Sequence, residues 1–457
     1  MRLERFAWGS PFCGLSLAKS VTALVAVFSH PMLDRDLIRN HSELVRAGIA
    51  RKGLDAPVDE FLRVDSERRQ VQTDLQEKQA EMNRISKSIG MLMGQGKRDE
   101  AEAAKSQTKD LKDAIAVGEG KQRELEALQL DIELQFPNLP HDSVPNGKDE
   151  HDNVVVRTWG EPPQFAEQPQ PHWEVAERLK LLDLPRAAKI SGSGFALYTG
   201  LGARLQRALF TFMIDHQTSK NGYYEIYPPY LVNTASLVGT GNLPKFEDEL
   251  YKADDDLYLI PTAEVPVTNL YRDEILNGDQ LTLKLAGYSG CFRREAGAAG
   301  KDTRGVLRVH QFDKVEMVKF TKPEDSYDEL ESLVNDAESV LQTLGIHYRI
   351  LELCSGDLPA KPSKCYDVEL WSPGVARYLE ISSCSNFEAY QARRANIRFR
   401  RAQGDRPEFV HILNGSGLAC PRLFAAILET FQQPDGSLLV PEPLRPYVGR
   451  EIIALER

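Results

Sequence analysis

The sequence predicts an α+β protein: a mostly antiparallel sheet flanked by helices, with a long antiparallel coiled-coil hairpin ahead of it. Three observations carry that reading. Two long polar-rich segments show narrow apolar seams at helical spacing, with a glycine turn between them. A connector rich in proline, glycine and acid follows them. Beyond it, short β-type runs lie close enough in sequence to pair as hairpins rather than through repeated βαβ crossovers.

At the start of the chain, Arg2, Arg5 and Lys19 precede a short apolar stretch at 21–28, loosely like a signal or transit segment. That stretch is short, no small-x-small cleavage site follows, and Met32 opens an ordinary helical pattern. The favoured expectation for residues 1–31 is an over-extended start or a disordered extension, with targeting as the alternative. From Met32 to Gly53 the text reads as one short amphipathic helix on Leu33, Leu37, Leu44 and Val45.

Phe61, Val64, Val71, Leu75, Met82, Ile85, Ile89 and Leu92 mark the first long helix; Leu111, Ile115, Leu125, Leu128, Ile132 and Leu134 mark the second. Gly94 to Lys97 supply the reversal between them. At 1.5 Å per residue, 58–92 spans about 50 Å, so this segment is expected to stand as an arm away from a globular body. Between Met82 and Arg98 only basic charges occur: Arg84, Lys87, Lys97 and Arg98. Such a tip is either a solvated helix end or a patch for nucleic-acid backbone. Strands are expected at 223–227, 257–260, 281–285, 306–309, 314–320, 348–353 and 365–370.

Composition narrows the function. With 457 residues the chain exceeds one ordinary core, and 42% hydrophobic with 27% charged residues suits a globular protein. A net charge of −11 excludes blanket attraction to polyanions, so any nucleic-acid contact must be local. Cys13, Cys291, Cys354, Cys365, Cys384 and Cys420 never fall in a C-x-x-C pair or at zinc spacing with histidines, which favours free thiols in a reducing compartment. No apolar run approaches the ~20 residues of a membrane span.

Chemistry concentrates in three places. Cys291, Phe292, Arg293, Arg294, Glu295, Ala296 and Gly297 lead to Asp302, Thr303, Arg304 and Gly305, then to Arg308, Val309, His310, Gln311 and Phe312: strand, loop, strand. Arginine there offers a planar fork for phosphate or carboxylate, Glu295 an acceptor for an amino-bearing base, and Phe312 a stacking face. Alone, such a hairpin is more often a surface ion-pair ladder. His411 to Ala419 with Pro421 and Arg422 forms a glycine-bearing run entering an apolar helix, and Pro261 to Pro266 reads as a pocket wall for something small and polar.

The hairpin resembles motif 2 of class II aminoacyl-tRNA synthetases, in the form F-R-x-E-A-G-x-A-G-x-D-T-R-G…H-Q-F-x-K-V-E that marks the seryl enzymes. Residues 414–422 are similar to motif 3, and 222–229 resemble motif 1, whose proline lies at a dimer interface. Thr262, Ala263 and Glu264 match the serine-binding T-A-E of the family, and the opening Met32-Leu33-Asp34 with the arm match its bacterial members. Small departures stand at Ala298, Lys301 and Cys420-Pro421. No cysteine/histidine set supports a zinc-dependent branch.

The resemblance implies a class II synthetase-like fold with an extension at 1–31, a tRNA-binding helical arm at 32–135, a connector at 136–171 and a catalytic domain at 172–457. It implies a cytoplasmic homodimer, away from membranes, that activates L-serine with ATP and Mg²⁺, without zinc, and transfers it to tRNA(Ser), and to tRNA(Sec) where present. Arg293 would bridge the α-phosphate and the carboxylate, with Arg294 beside it. Glu295 would read the adenine amino group, with Val309 and Phe312 around the ring. Arg422 would hold the γ-phosphate. Glu380, Ile381, Ser382 and Ser383 resemble the phosphate site, with Glu380 and Ser383 as Mg²⁺ ligands. Thr262, Ala263 and Glu264 would take the ammonium of serine, Glu316 and Ser416 its hydroxyl. Arg84, Lys87, Lys97 and Arg98 would meet tRNA. Two alternatives stay open: an amino acid ligase that loads a carrier protein, and a non-catalytic paralogue.

Overall fold

The structure is a computed structural model that describes residues 33–296 and 304–455. The extension at 1–31 and the loop residues Gly297, Ala298, Lys301, Asp302 and Thr303 therefore lie outside the described residues. The chain divides into two compact units: residues up to Ser42 with Pro57–Phe136, and Glu43–Ala56 with Pro137–Arg457.

Where one helix is expected over 32–53, the structure has two, α1 (Arg35–Asn40) and α2 (Ser42–Arg51). The break falls at His41, at φ −134°. It lies between Asn40 and Ser42, whose side chains favour helix ends over interiors.

The first unit is dominated by α3 (Val58–Gly94) and α4 (Arg98–Glu133). Asp65 meets Gln129 at 3.3 Å, Glu67 meets Lys121 at 3.4 Å, and a β-carbon on Gly118 would lie 2.6 Å from Leu75 Cδ2. Partner numbers fall on α4 as they rise on α3, so the helices run antiparallel. Gly96, at φ 76°, makes the reversal. Near the base Val58, Phe61 and Val64 are fully buried, and Phe61 packs edge-on against Phe136 at 5.9 Å. Toward the tip Leu75, Ile85, Ile89 and Leu92 are only half-buried, because a two-helix layer covers each seam from one side. Burial resists the charge on Asp65, yet Arg39 at 2.8 Å and Arg69 at 3.0 Å hold its carboxyl down at about 2.

The second unit is built on an eight-stranded sheet: β1 (Val154–Trp159), β2 (Tyr224–Ile226), β3 (Leu283–Phe292), β4 (Gln311–Thr321), β5 (Tyr348–Glu352), β6 (Lys364–Ser372), β7 (Arg377–Asn386) and β8 (His411–Ala419). Their order is β1-β5-β6-β7-β8-β4-β3-β2. Every neighbouring pair is antiparallel except β2 with β3. The core on this sheet draws on α5 (His172–Arg178), α6 (Gly200–Ser219), α8 (Ser326–Leu344) and α9 (Cys420–Thr430), while the short α7 (Glu264–Thr268) packs into a smaller cluster through Val267. Strand 257–260 is found as Leu257–Leu259, paired with Leu231–Asn233.

The glycines of β8 have a sheet role as well. A β-carbon on Gly415 would meet Cys384 Sγ at 2.7 Å, and one on Gly417 would meet Met317 Cγ at 3.2 Å. No strand forms over 306–309. At its two ends the amides are taken elsewhere, Val306 N–H by a histidine side chain and, just past the span, His310 N–H by the carbonyl of Gly194 at 2.8 Å. Cys291, Cys354, Cys365, Cys384 and Cys420 are buried and unbridged; Cys13 lies outside the described residues. No helix among the described residues is long and apolar enough to cross a membrane.

Candidate active site

Strands β3 and β4 pair in register as far as Phe292 with Gln311, and the chain leaves the ladder just beyond. Arg293 and Glu295 therefore stand at the rim of the sheet rather than within it. The backbone of Arg293 stays fixed, its N–H donating to His310 O at 2.9 Å while His310 Nδ1 lies 3.0 Å from its carbonyl. Its guanidinium donates to Pro261 O at 3.2 Å and lies 5.2 Å from the centre of the Phe312 ring. Glu295 takes a left-handed conformation at φ 51°, and its carboxylate accepts from Arg308 at 2.6 Å.

Two recesses adjoin here and share Arg293, Glu295 and Arg308. The first, about 200 Å³, is completed by Leu307, Val309, Phe312, Lys314, Glu380, Ile381, Ser416, Ala419, Pro421 and Arg422. The second, about 470 Å³, is completed by Asn242, Phe246, Glu249, Leu250, Pro261, Thr262, Glu264 and Lys361.

Motif chemistry on the first recess comes from three neighbouring strands. Arg422 lies in the first turn of α9, whose N-terminal end favours anions. It donates to the carbonyls of Glu380 and, at 3.4 Å, of Leu307, and its Nη1 lies 3.7 Å from Glu380 Oε2. The Glu380 side chain is 47% exposed, a hard oxygen ligand at the mouth. A bulge between Glu380 and Ser382 shifts the register there. Ser382 and Ser383 line neither recess: Ser382 Oγ donates to Ser416 O at 2.7 Å, and Ser383 Oγ lies 3.1 Å from Cys365 Sγ. Among the described residues no group of three or more His, Cys, Asp or Glu gathers to hold a metal ion.

In the second recess Thr262 Oγ1 accepts from Glu264 N at 3.2 Å and Ala263 is wholly buried behind it. Glu264 Oε1 receives Gln391 Nε2 at 2.7 Å and Lys361 Nζ at 3.4 Å. Burial opposes its charge, but Lys361, Gln391 and Lys314 outweigh that and hold its carboxyl below the ordinary value. Lys361 sits in a stretch gripped by Lys52, which donates to the carbonyls of Pro359, Ala360 and Pro362 at 2.9, 3.3 and 2.7 Å.

Glu316 is 2% exposed and lines neither recess. It stands across β4–β8 from Ser416, and Lys314, two residues back on the same face, brings Nζ to 2.5 Å of its Oε2. Beyond that ion pair the buried Oε2 has no hydrogen-bond partner among the described residues. Burial raises its carboxyl above the ordinary value, with Lys314 opposing. Arg294 is exposed and tied by its backbone to Glu249 O at 3.0 Å.

Arg84, Lys87, Lys97 and Arg98 are all exposed at the end of the α3–α4 hairpin. Arg84 pairs with Glu81 at 3.5 Å and Lys97 with Glu100 at 3.1 Å, acids that flank the basic run and halve its free charge.

Sequence reading missed Lys314, Leu307, Lys361 and Gln391, and named Arg308 without a role of its own. Lys314 was within reach, since period two puts it on the face of Glu316. Lys361 and Gln391 meet Glu264 from 97 and 127 positions away, and no local pattern marks them.

Comparison with known proteins adds to this geometry. Residues 32–140 match the family model described as the seryl-tRNA synthetase N-terminal domain, and 245–431 match the tRNA synthetase class II core domain (G, H, P, S and T). The chain is similar to a serine–tRNA ligase of Geobacillus kaustophilus, 54% identical over 92% of this chain and 100% of that one. It is similar to a serine–tRNA ligase of Bacillus subtilis, 51% identical with the same coverage. Among solved structures it resembles a seryl-tRNA synthetase from Pyrococcus horikoshii complexed with ATP, at TM-score 0.88 and 37% identity, covering 93% of this chain and all of that one.

Proposed function

The chain belongs to the seryl-tRNA synthetase family, a serine–tRNA ligase on a class II fold, and from that premise we propose how its residues divide the work. ATP occupies the first recess and serine the second, with Arg293 on the shared wall, within reach of the α-phosphate and the serine carboxylate alike. The single observation that supports this division is that shared wall: Arg293, Glu295 and Arg308 border both recesses.

The serine carboxylate attacks the α-phosphorus, giving seryl-adenylate and pyrophosphate. Charge that grows on the phosphoryl oxygens meets Arg293, already aimed by its bond to Pro261 O. No protein nucleophile is required, because holding the two reactants in line supplies most of the acceleration. Glu295 reads the adenine amino group through its backbone-fixed turn, Phe312 stacks on the ring, and Arg422 at the start of α9 holds the terminal phosphate. Glu264 takes the ammonium in the second recess, and the serine side chain reaches from there toward Ser416, on the wall of the first recess, and Glu316 behind it, which serve the hydroxyl.

Mg²⁺ fits the mouth of the first recess. With one exposed carboxylate, Glu380, the protein suits an ion that draws its remaining ligands from phosphate and water. When bound, the ion would neutralise phosphate charge. Ser383 would need to turn from Cys365 to join it.

The arm residues Arg84, Lys87, Lys97 and Arg98 meet the tRNA backbone, with Lys87 and Arg98 outside the two ion pairs named above. The chain works as a cytoplasmic homodimer; pairing through the 222–229 segment is supported by Tyr224, in the edge strand β2, and Tyr227 just past its end, 72% and 70% exposed. Serine-dependent exchange of pyrophosphate into ATP, followed by charging of serine tRNA, tests the assignment. Exchange driven by alanine or glycine as well as by serine would overturn it.

A further inference from the structure

Away from the reacting groups, α5 begins at His172 and α9 ends near Glu429, and both side chains are wholly inaccessible. Glu429 is saturated with donors. Its Oε1 accepts from His172 N at 2.9 Å and His172 Nδ1 at 2.8 Å, and its Oε2 from Ser372 Oγ and from Gly374 N at 3.0 Å.

The other ring nitrogen decides the tautomer. Val306 N–H points at His172 Nε2 from 3.3 Å. A proton on Nε2 would set two donors against each other, so the ring donates through Nδ1 to Glu429 and accepts at Nε2. Gly305, at φ 73°, lets the chain pass: a β-carbon there would collide with Nε2.

The residues that follow Val306 are those that hold the ATP groups. Leu307 O accepts from Arg422, and Arg308 holds Glu295 at 2.6 Å. Three consecutive residues thus connect the dyad, the proposed γ-phosphate arginine and the proposed adenine reader. With no strand over 306–309, no sheet ladder fixes this stretch, and the Val306 bond to His172 is a buried anchor for it.

From this geometry we infer that the His172–Glu429 pair is a positioning device for ATP, setting the height of residues 306–308 against the cleft. The inference rests on the reading of the first recess as the ATP site. Of the 306–308 stretch only Arg308 also borders the serine recess, whereas Thr262, Glu264 and Lys361 hang on other segments, so the effect falls mainly on ATP.

The experiment compares His172→Asn with His172→Gln by serine-dependent exchange, varying ATP and serine separately, beside thermal melts. Asparagine keeps a donor at the Nδ1 position and loses the acceptor for Val306, whereas glutamine extends an amide oxygen toward the place of Nε2. Losing the partner of one buried N–H raises KM for ATP about tenfold in His172→Asn, with KM for serine within about twofold of wild type. His172→Gln recovers most of the ATP effect. Equal changes for ATP and serine, or an equal loss in both variants, overturns the inference and leaves the pair a general prop. A wild-type protein without serine-dependent exchange overturns the reading of the recess itself, which is a separate failure.

Discussion

Replacing Glu264 by glutamine removes a charge and almost no volume, which makes it a direct test of the serine recess. The carboxylate is within 3.4 Å of Lys361 and 2.7 Å of Gln391, with side-chain exposures of 10% for Glu264 and 18% for Lys361. At that separation and an effective dielectric near 20, the gross attraction to Lys361 is about 5 kcal/mol. Desolvation of the two ions cancels most of it, leaving about 1.5–3 kcal/mol for a hydrogen bond to a charged group. A substrate ammonium meeting the same carboxylate gains a similar amount, so Glu264→Gln raises KM for serine roughly 10- to 100-fold. KM for ATP, read in the same exchange assay, stays within about threefold, because no ATP contact is lost. The pH dependence has a definite sign. Since the folded carboxyl is held below its ordinary value, its ion pair is fully present above the unfolded carboxylate range near about 4.3, and is lost as pH falls through the depressed value. Serine affinity in the wild type therefore shows no acid limb from this group above that range. A serine KM unmoved by Glu264→Gln would refute the ammonium role, and equal rises for serine and ATP would show the pair to be a structural brace.

Arg293→Ala lowers the rate of adenylate formation by roughly 10²–10³, the value of one preorganised donor where charge develops; single-turnover formation of adenylate measures it. Glu316→Ala erodes the preference for serine over alanine more than it weakens ATP binding, because the hydroxyl loses a buried acceptor; comparing kcat/KM for the two amino acids decides. Excising 59–135 with a short linker leaves exchange intact and abolishes tRNA charging, since the hairpin has its own seam. In the intact protein, charging weakens as salt rises, measured as KM for tRNA across an ionic-strength series.

How much of this was legible beforehand depends on sequence distance. The two arm helices were readable because a 3.6-residue period writes a seam into contiguous text, and α3 and α4 occupy the two segments that carry it. Arg293, Glu295 and Phe312 on one hairpin, and Arg422 at the start of a helix, were readable for another reason: each unit is local and its motif resembles the family's, although the spacing of the hairpin alone fits a surface ion-pair ladder as well. The strand expected over 306–309 failed because β-type residues there give their amides to partners far along the chain, which composition does not record. The tertiary structure alone decided the surroundings of each charge. Lys361 and Gln391 reach Glu264 across about a hundred residues, and His172 reaches Glu429 across 257, because the packing of helix on sheet, and not any local propensity, closes those distances. The sequence by itself set which motif each of these side chains belongs to; only the fold determined how deeply each is buried and which partner sets its charge, since desolvation and Coulomb energy depend on distance in space and not along the chain.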